Sequence, residues 1–284
     1  MAETCSLLLA NAARRSSLSL TDDGKSRIAG FLLSQQQSDG GFRGRSNASD
    51  LYYTFFAFRA MRAIGADMPL AATAAYLRGF QQADGLDFIH LACLACASAD
   101  LLPGERAKDV LNRIEAFRAD DGGYAEKRGA SQSTAYGAFL AVLAYESHGA
   151  PVPNCAGVLK ALEALRPTVT PAIAAQVILL TSLGGTPAAS LGEQLINRAA
   201  RTGGFRAVPL APVADLLSTA TALCALHAIR HPLDAVREAC LDFVDSLWHD
   251  NGGFRGHRLD FTPDCEYTYY ALLALGVLAR AGDA

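Results

Sequence analysis

The chain has 284 residues, half of them hydrophobic, and a formal net charge of −3. That is ample apolar material for one large core, at the upper end of what one domain holds. The charge excludes a protein that works by bulk attraction to nucleic acid or to an anionic membrane surface, and no apolar run of about 18 residues marks a membrane span.

The start carries an acid at Glu3, a short apolar patch, and then Arg14 and Arg15. That order is wrong for a secretory signal and predicts a leading helix over 3–15, within a leading stretch 1–18. From there two kinds of helical segment alternate. Segments 22–37, 69–82, 105–118, 154–166, 187–201 and 233–249 are charged and amphipathic. Segments 51–64, 88–102, 133–145, 171–183, 216–229 and 267–278 are nearly uncharged. A helix with one wet face lies at a surface, whereas one that is apolar all round is covered on most sides. Strict alternation therefore predicts two concentric layers, six inner helices ringed by six outer ones. No alternating strand pattern is convincing. Seven cysteines without framework spacing point to a reducing, cytoplasmic setting, and Cys93 and Cys96 read as small buried thiols on an inner helix.

A tetrad punctuates the outer-to-inner junctions. It stands as Asp39-Gly40-Gly41-Phe42 and Asp121-Gly122-Gly123-Tyr124, with altered copies at Thr202-Gly203-Gly204-Phe205 and Asn251-Gly252-Gly253-Phe254. Ala83-Asp84-Gly85 and Arg166-Pro167 hold the places of the missing copies. The glycines are expected to end the outer helices in left-handed conformation, with the aromatic folded back on the helix end. Capping residues such as Asp50, Asp215 and Asp264 then open the inner helices. Repetition over about 20–282 predicts one supersecondary unit used many times, a single all-α (α/α)6 toroid over 1–284.

The stretch from Gln37 to Gly44 followed by Asp50-Leu51-Tyr52-Tyr53-Thr54 resembles the repeat of protein prenyltransferase β subunits, shared with squalene and oxidosqualene cyclases. Residues 251–256 followed by Pro263-Asp264-Cys265-Glu266-Tyr267-Thr268 resemble it again. The resemblance implies a deep apolar funnel for an isoprenoid diphosphate, basic residues at its mouth, a helical α-type partner subunit, and a zinc ion held by Asp, Cys and His that activates an acceptor thiol. Two departures stand against the zinc set. Matched in chain order, Leu217 and Tyr267 replace the cysteine and the histidine. Matched by local similarity, Glu266 replaces the cysteine and Tyr53 the histidine.

The candidate site follows from ring closure, which makes the first and last glycine loops neighbours. Asp264, Cys265 and Glu266 are the catalytic candidates at the start of the last inner helix. Their alternative roles are an N-cap, a buried thiol and a first-turn acid that suits the helix dipole. Asp264, Glu266 and Asp50 would be the metal ligands. Arg43, Arg45, Arg255, His257 and Arg258 would receive the diphosphate, since arginine matches phosphate oxygens in a bidentate fork. Tyr53 and Tyr267 complete the substrate-binding set. The expected activity is prenyl-diphosphate binding with transfer to a thiol. The runner-up is a catalytically silent toroid that binds a lipid or a protein. Terpene cyclisation stands lower, because no Asp-x-Asp-Asp stretch occurs and the resemblance to cyclases implies a much longer chain. A glycosidase is disfavoured by the scarcity of inner-end acids and of tryptophan.

Overall fold

A computed structural model describes residues 3–83, 85–105 and 107–280; Asp84 of the expected second junction, the last residues of the repeat region and the first two residues of the chain lie outside them. The leading helix α1 (Cys5–Arg15) is followed by α2 (Asp22–Ser34), the short strands β1 (Phe42–Arg43) and β2 (Ser49–Asp50), and α3 (Leu51–Ile64). Then come α4 (Leu70–Arg78), α5 (Phe88–Leu101), α6 (Ala107–Glu115), α7 (Ala135–Ser147) and α8 (Cys155–Ala164). The chain continues through α9 (Thr170–Ser182), α10 (Ala189–Ile196), α11 (Leu216–Ala228), α12 (Asp234–Asp245) and α13 (Cys265–Leu278). The odd-numbered helices from α3 to α13 form the inner layer. Each packs on the next, and α13 returns to α3, so the ring is closed. The fold is an (α/α)6 toroid.

Apolar content sorts the layers as hydrophobic burial requires. In α13 every residue from Ala271 to Leu278 is buried, whereas α12 buries only Cys240, Phe243 and Val244. The leading helix takes no place in either layer. It lies across one end of the inner barrel, packed on α13, α3, α7 and α11. Gly276 makes this possible, because a Cβ there would come within 1.7 Å of the Ala12 carbonyl oxygen.

The tetrads do something other than end helices. The outer helices stop earlier than the sequence suggests, at Ser34, Glu115, Ile196 and Asp245. The chain then makes a tight corner in which Gly40 N–H donates to the Gln37 carbonyl at 2.9 Å and Gln37 N–H donates to the Gly41 carbonyl at 2.8 Å. The same pair of bonds recurs at Ala119–Gly123, Ala200–Gly204 and His249–Gly253. The first glycine of each corner has positive φ, +89° at Gly40 and +95° at Gly252. It rests on the backbone of the next outer helix: a Cβ at Gly40 would lie 2.2 Å from the Ala72 oxygen, and one at Gly252 the same distance from the Arg27 oxygen. Arg27 belongs to α2, so the last corner sits on the first outer helix and closes that layer as well. The following aromatic does fold back on the outer-helix end, pairing with Gln36, Arg118, Ala199 or Trp248 just past it. In three of the four corners it also reaches forward and pairs antiparallel with the residue that opens the next inner helix, Phe42 with Asp50, Phe205 with Asp215 and Phe254 with Asp264. Sequence periodicity misses these strands because they are two residues long or single bridges.

Candidate active site at the mouth of the inner barrel

The inner helices begin at one end of the barrel, the mouth, and their caps converge there. Asp50, Asp87, Asp215 and Asp264 each accept a hydrogen bond from a backbone N–H of the first turn, and Thr134 does so for α7. Anionic caps also suit the positive end of the helix dipole. After Asp50, Asp215 and Asp264 a threonine four residues on locks the corner to its helix. Thr54 Oγ1 donates to the Asp50 carbonyl at 2.6 Å and accepts the Phe42 N–H at 2.9 Å. Thr219 and Thr268 repeat both bonds. Gly44 and Gly256 then leave room for Tyr53 and Tyr267, whose rings would lie 2.0 Å and 2.5 Å from a Cβ at those positions.

Ring closure assembles the mouth from chain ends more than 200 residues apart. Arg45, on the loop between β1 and β2, donates Nε to Asp264 Oδ2 at 3.0 Å and Nη2 to Asp260 Oδ2 at 2.5 Å, and lies over the Tyr267 ring. In the first turn of α13, Glu266 Oε1 accepts the Tyr52 hydroxyl at 2.6 Å. Its second oxygen has no partner among the described residues. Burial pushes the Glu266 carboxyl up to about 7, with the Asp264 charge adding to the rise and the Tyr52 bond opposing it. Burial also raises Asp264, although its bonds to Tyr267 N–H and Arg45 pull the other way. On the far side of α3, His90 joins two caps, Nδ1 to Asp87 at 2.8 Å and Nε2 to Asp50 at 3.3 Å. Burial works against the imidazolium, but the bond to Asp87 and the charge of Asp50 win and hold His90 above its ordinary value.

Below the mouth lies a cavity of about 110 Å³, bounded by all six inner helices. One water needs roughly 10–15 Å³ by that measure, so the space takes a ligand of several heavy atoms. Tyr52, Phe56, Tyr136, Leu217, Tyr270 and Ile178 are among its walls, and Leu9 of α1 reaches it from the opposite end. Tyr52 and Tyr270 link cavity to acid: Tyr52 bonds Glu266, and Tyr270 stands one turn below it on α13.

The expected site residues separate into two groups. Asp50, Tyr53, Asp264, Glu266, Tyr267 and Arg45 meet at the mouth. Arg43 donates to Asn47 at 3.0 Å, Arg255 to the Ser246 carbonyl at 3.0 Å, and Arg258 to Ser246 Oγ at 3.0 Å beneath which lies the Phe243 ring. His257 Nδ1 meets the Leu259 N–H. These four serve their own loops and outer-helix ends and do not converge with Arg45. Cys265 is buried, with its thiol turned to the Arg43 carbonyl at 3.8 Å and burial holding it well above the usual thiol range. The donor set does not fit a zinc ion. Asp264 Oδ1 caps Tyr267 and Oδ2 holds Arg45, while Asp50 divides its oxygens between Tyr52 N–H and His90. Among the described residues no three His, Cys, Asp or Glu side chains are grouped to hold a metal. All seven cysteines are free thiols, and no described helix is long and apolar enough to cross a membrane.

Three residues of this constellation escaped sequence reasoning. Asp260 sits in a loop and carries no signal. Tyr52 was one aromatic among many on an inner helix. His90 reads as a core residue of an inner helix; its signal is the spacing Asp87-x-x-His90, which brings a ring back over its own cap.

Solved structures share this architecture at low identity. A variant of the type II terpene cyclase MstE from Scytonema, in complex with the product merosterolic acid A, aligns over 93% of this chain and 97% of its own, with 12% identity and a TM-score of 0.63. An inactive variant of the alpha-1,6-mannanase GH76A of Salegentibacter sp. HEL1_6, bound to alpha-1,6-mannotriose, aligns over 90% and 98% with 12% identity and a TM-score of 0.61. Candida albicans protein geranylgeranyltransferase-I, complexed with GGPP, aligns over 95% and 83% with 14% identity and a TM-score of 0.43. The cyclase coverage removes the expectation that cyclases of this fold are necessarily much longer than this chain. No curated protein sequence matches the chain. The model of the prenyltransferase alpha-alpha toroid domain matches residues 4–167 and 160–283, and the chain belongs to that family.

Proposed function

We propose that the inner barrel binds an isoprenoid chain and that Glu266 acts as a general acid on it, starting a cyclisation. The observation that carries this reading is the Glu266 carboxyl itself. One oxygen is fixed by Tyr52, the other has no partner among the described residues, and burial lifts the carboxyl to about 7, so that a substantial share of it carries its proton at neutral pH. Aromatic and aliphatic walls suit a hydrocarbon chain and shield a developing cation from water. The complexes of MstE with merosterolic acid A and with geranylgeranyl dihydroxybenzoate support an occupant of this class in a toroid of this shape.

An acid near pH 7 is poorly matched to protonating a carbon–carbon double bond and well matched to an oxygen. The favoured substrate therefore carries an epoxide at its distal isoprene unit. The proton passes from Glu266 to the epoxide oxygen, the C–O bond breaks, and the neighbouring double bond closes the ring. The final cation loses a proton to water, and Glu266 is reprotonated from solvent.

A diphosphate is less suited to this mouth. Its capping carboxylates would repel the anion, and Arg45 would have to leave both Asp260 and Asp264 to receive it. Prenyl transfer to a thiol, with a zinc ion and a helical partner, is the competing reading.

The test is to incubate the protein with farnesol epoxidised at its terminal double bond and to measure farnesol binding in parallel. Cyclic alcohol should form, and Glu266→Gln should lower its rate by about 10²-fold or more while farnesol affinity stays unchanged. Absence of farnesol binding, or full turnover in Glu266→Gln, would overturn the reading. Preference for farnesyl diphosphate over farnesol would favour prenyl transfer.

A further inference from the structure

The far end of the cavity holds a charge that the acid mechanism does not use. Arg59 lies halfway along α3, seven residues beyond Tyr52, so about 10 Å deeper along the helix axis. It is the one ionisable cation or anion among the described side chains that line the cavity. It also borders a second, polar recess of about 420 Å³ between α1 and the ends of α3, α5 and α7. Arg59 and Tyr269 line both spaces.

That guanidinium is poorly satisfied. Its Nε is buried without a hydrogen-bond partner, Nη2 reaches Ser147 Oγ only at 3.5 Å, and its remaining contact is the face of Phe55 at 5.3 Å. It forms no ion pair with a described residue. The two acids of the recess are occupied: Asp100 pairs with Arg62 at 2.5 Å, and Glu146 accepts the Ser6 N–H at 2.7 Å. A guanidinium always carries its charge, and a partly buried one with open donors is costly until an anion meets it.

We propose that Arg59 binds the carboxylate of an isoprenoid carboxylic acid, whose hydrocarbon chain runs up the cavity and presents its distal end to Glu266. This rests on the reading of the cavity as an isoprenoid site and adds the head group and the direction of binding. A single negative charge fits better than a diphosphate. The recess sets Arg59, Arg62 and Arg14 against Asp100 and Glu146, which leaves a single positive charge in formal excess, and the carbonyl ends of α3, α5 and α7 add partial negative charge. Arginine pairs a carboxylate through two parallel N–H bonds, and the two terminal Nη groups supply that fork.

The experiment compares farnesoic acid, its neutral primary amide, farnesol and farnesyl diphosphate by calorimetry on the unaltered chain, and repeats the acid and the amide on Arg59→Met. The acid should bind at least tenfold tighter than the amide, as expected for a charge-assisted pair, and that advantage should vanish in Arg59→Met. Farnesol binding together with equal affinity for acid and amide would overturn the carboxylate site and leave the isoprenoid cavity standing. Failure of all four ligands would overturn both. Tighter binding of the diphosphate than of the acid would overturn the single-charge assignment. The comparison on the unaltered chain stands even if Arg59→Met fails to fold.

Discussion

The two ends of the barrel are built from opposite charges. The mouth gathers Asp50, Asp87, Asp215, Asp264 and Glu266 at helix starts, whereas Arg14, Arg15, Arg59 and Arg62 outnumber Asp100 and Glu146 at or near the floor, where the inner helices end. Most of this polarity is helix chemistry. Carboxylates satisfy open N–H groups at the mouth, and Arg15 donates to the Ala279 carbonyl at 2.7 Å at the floor. Beyond the capping groups and the Arg45 and Arg62 ion pairs, two open groups bear on the cavity: the second oxygen of Glu266 above it and the guanidinium of Arg59 in its wall. The contrast teaches that charge at a helix end is weak evidence for function, and that an unmatched group facing a cavity is stronger evidence.

The ends differ in how they are sealed, and that difference can be broken. At the floor α1 is held by a backbone approach that only glycine permits. Gly276→Leu should lift α1, cost about 3 kcal/mol through overpacking, and lower Tm by roughly 6–12 °C. Limited proteolysis should then cut within residues 3–18 first. An unchanged Tm would mean that the floor is not closed by this contact.

At the mouth the seal is electrostatic, and its loss should be smaller. Arg45→Gln leaves Asp264 buried with no cation, which should cost about 2 kcal/mol once the exposure of Arg45 is allowed for. The sign with pH follows from the acid. Removal of Arg45 raises Asp264 further, so the variant takes up a proton on folding. Its deficit should be largest near pH 8 and shrink as the pH falls towards 5. Urea melts at the two pH values measure this. An equal deficit at both would show that Arg45 acts through packing on Tyr267 and not through charge.

Much of the architecture was legible in the sequence, because burial writes itself into composition. The segment 51–64 coincides with α3, and the alternation of charged and uncharged helices translates directly into outer and inner layers. The role of the tetrads was not legible. Gly40 and Gly252 look like helix stops, but their positive φ serves a corner that rests on another helix, and that neighbour is known only once the ring has closed. The same reason divides the arginines. Arg43, Arg45, Arg255 and Arg258 have the same local flavour, and only the closed geometry reveals that Arg45 crosses to α13 while Arg43, Arg255 and Arg258 stay with their own loops. Arg59 did leave a signal: it is one of two arginines, with Arg62, in an otherwise uncharged inner helix. Aromatic-rich surroundings made that stretch read as core.

The account depends on Glu266 holding its proton up to about neutral pH above an apolar cavity. A carbon-13 NMR titration of the glutamate carboxyls, with Glu266→Gln to assign the signal, tests this directly. Its raised value means that the folded state holds the proton more tightly than the unfolded chain. The associated stability is therefore complete below about pH 4.5 and is lost as the pH rises through about 7. The account predicts one carboxyl resonance that titrates near pH 7 and disappears in Glu266→Gln. A Glu266 midpoint near 4.5 would contradict it.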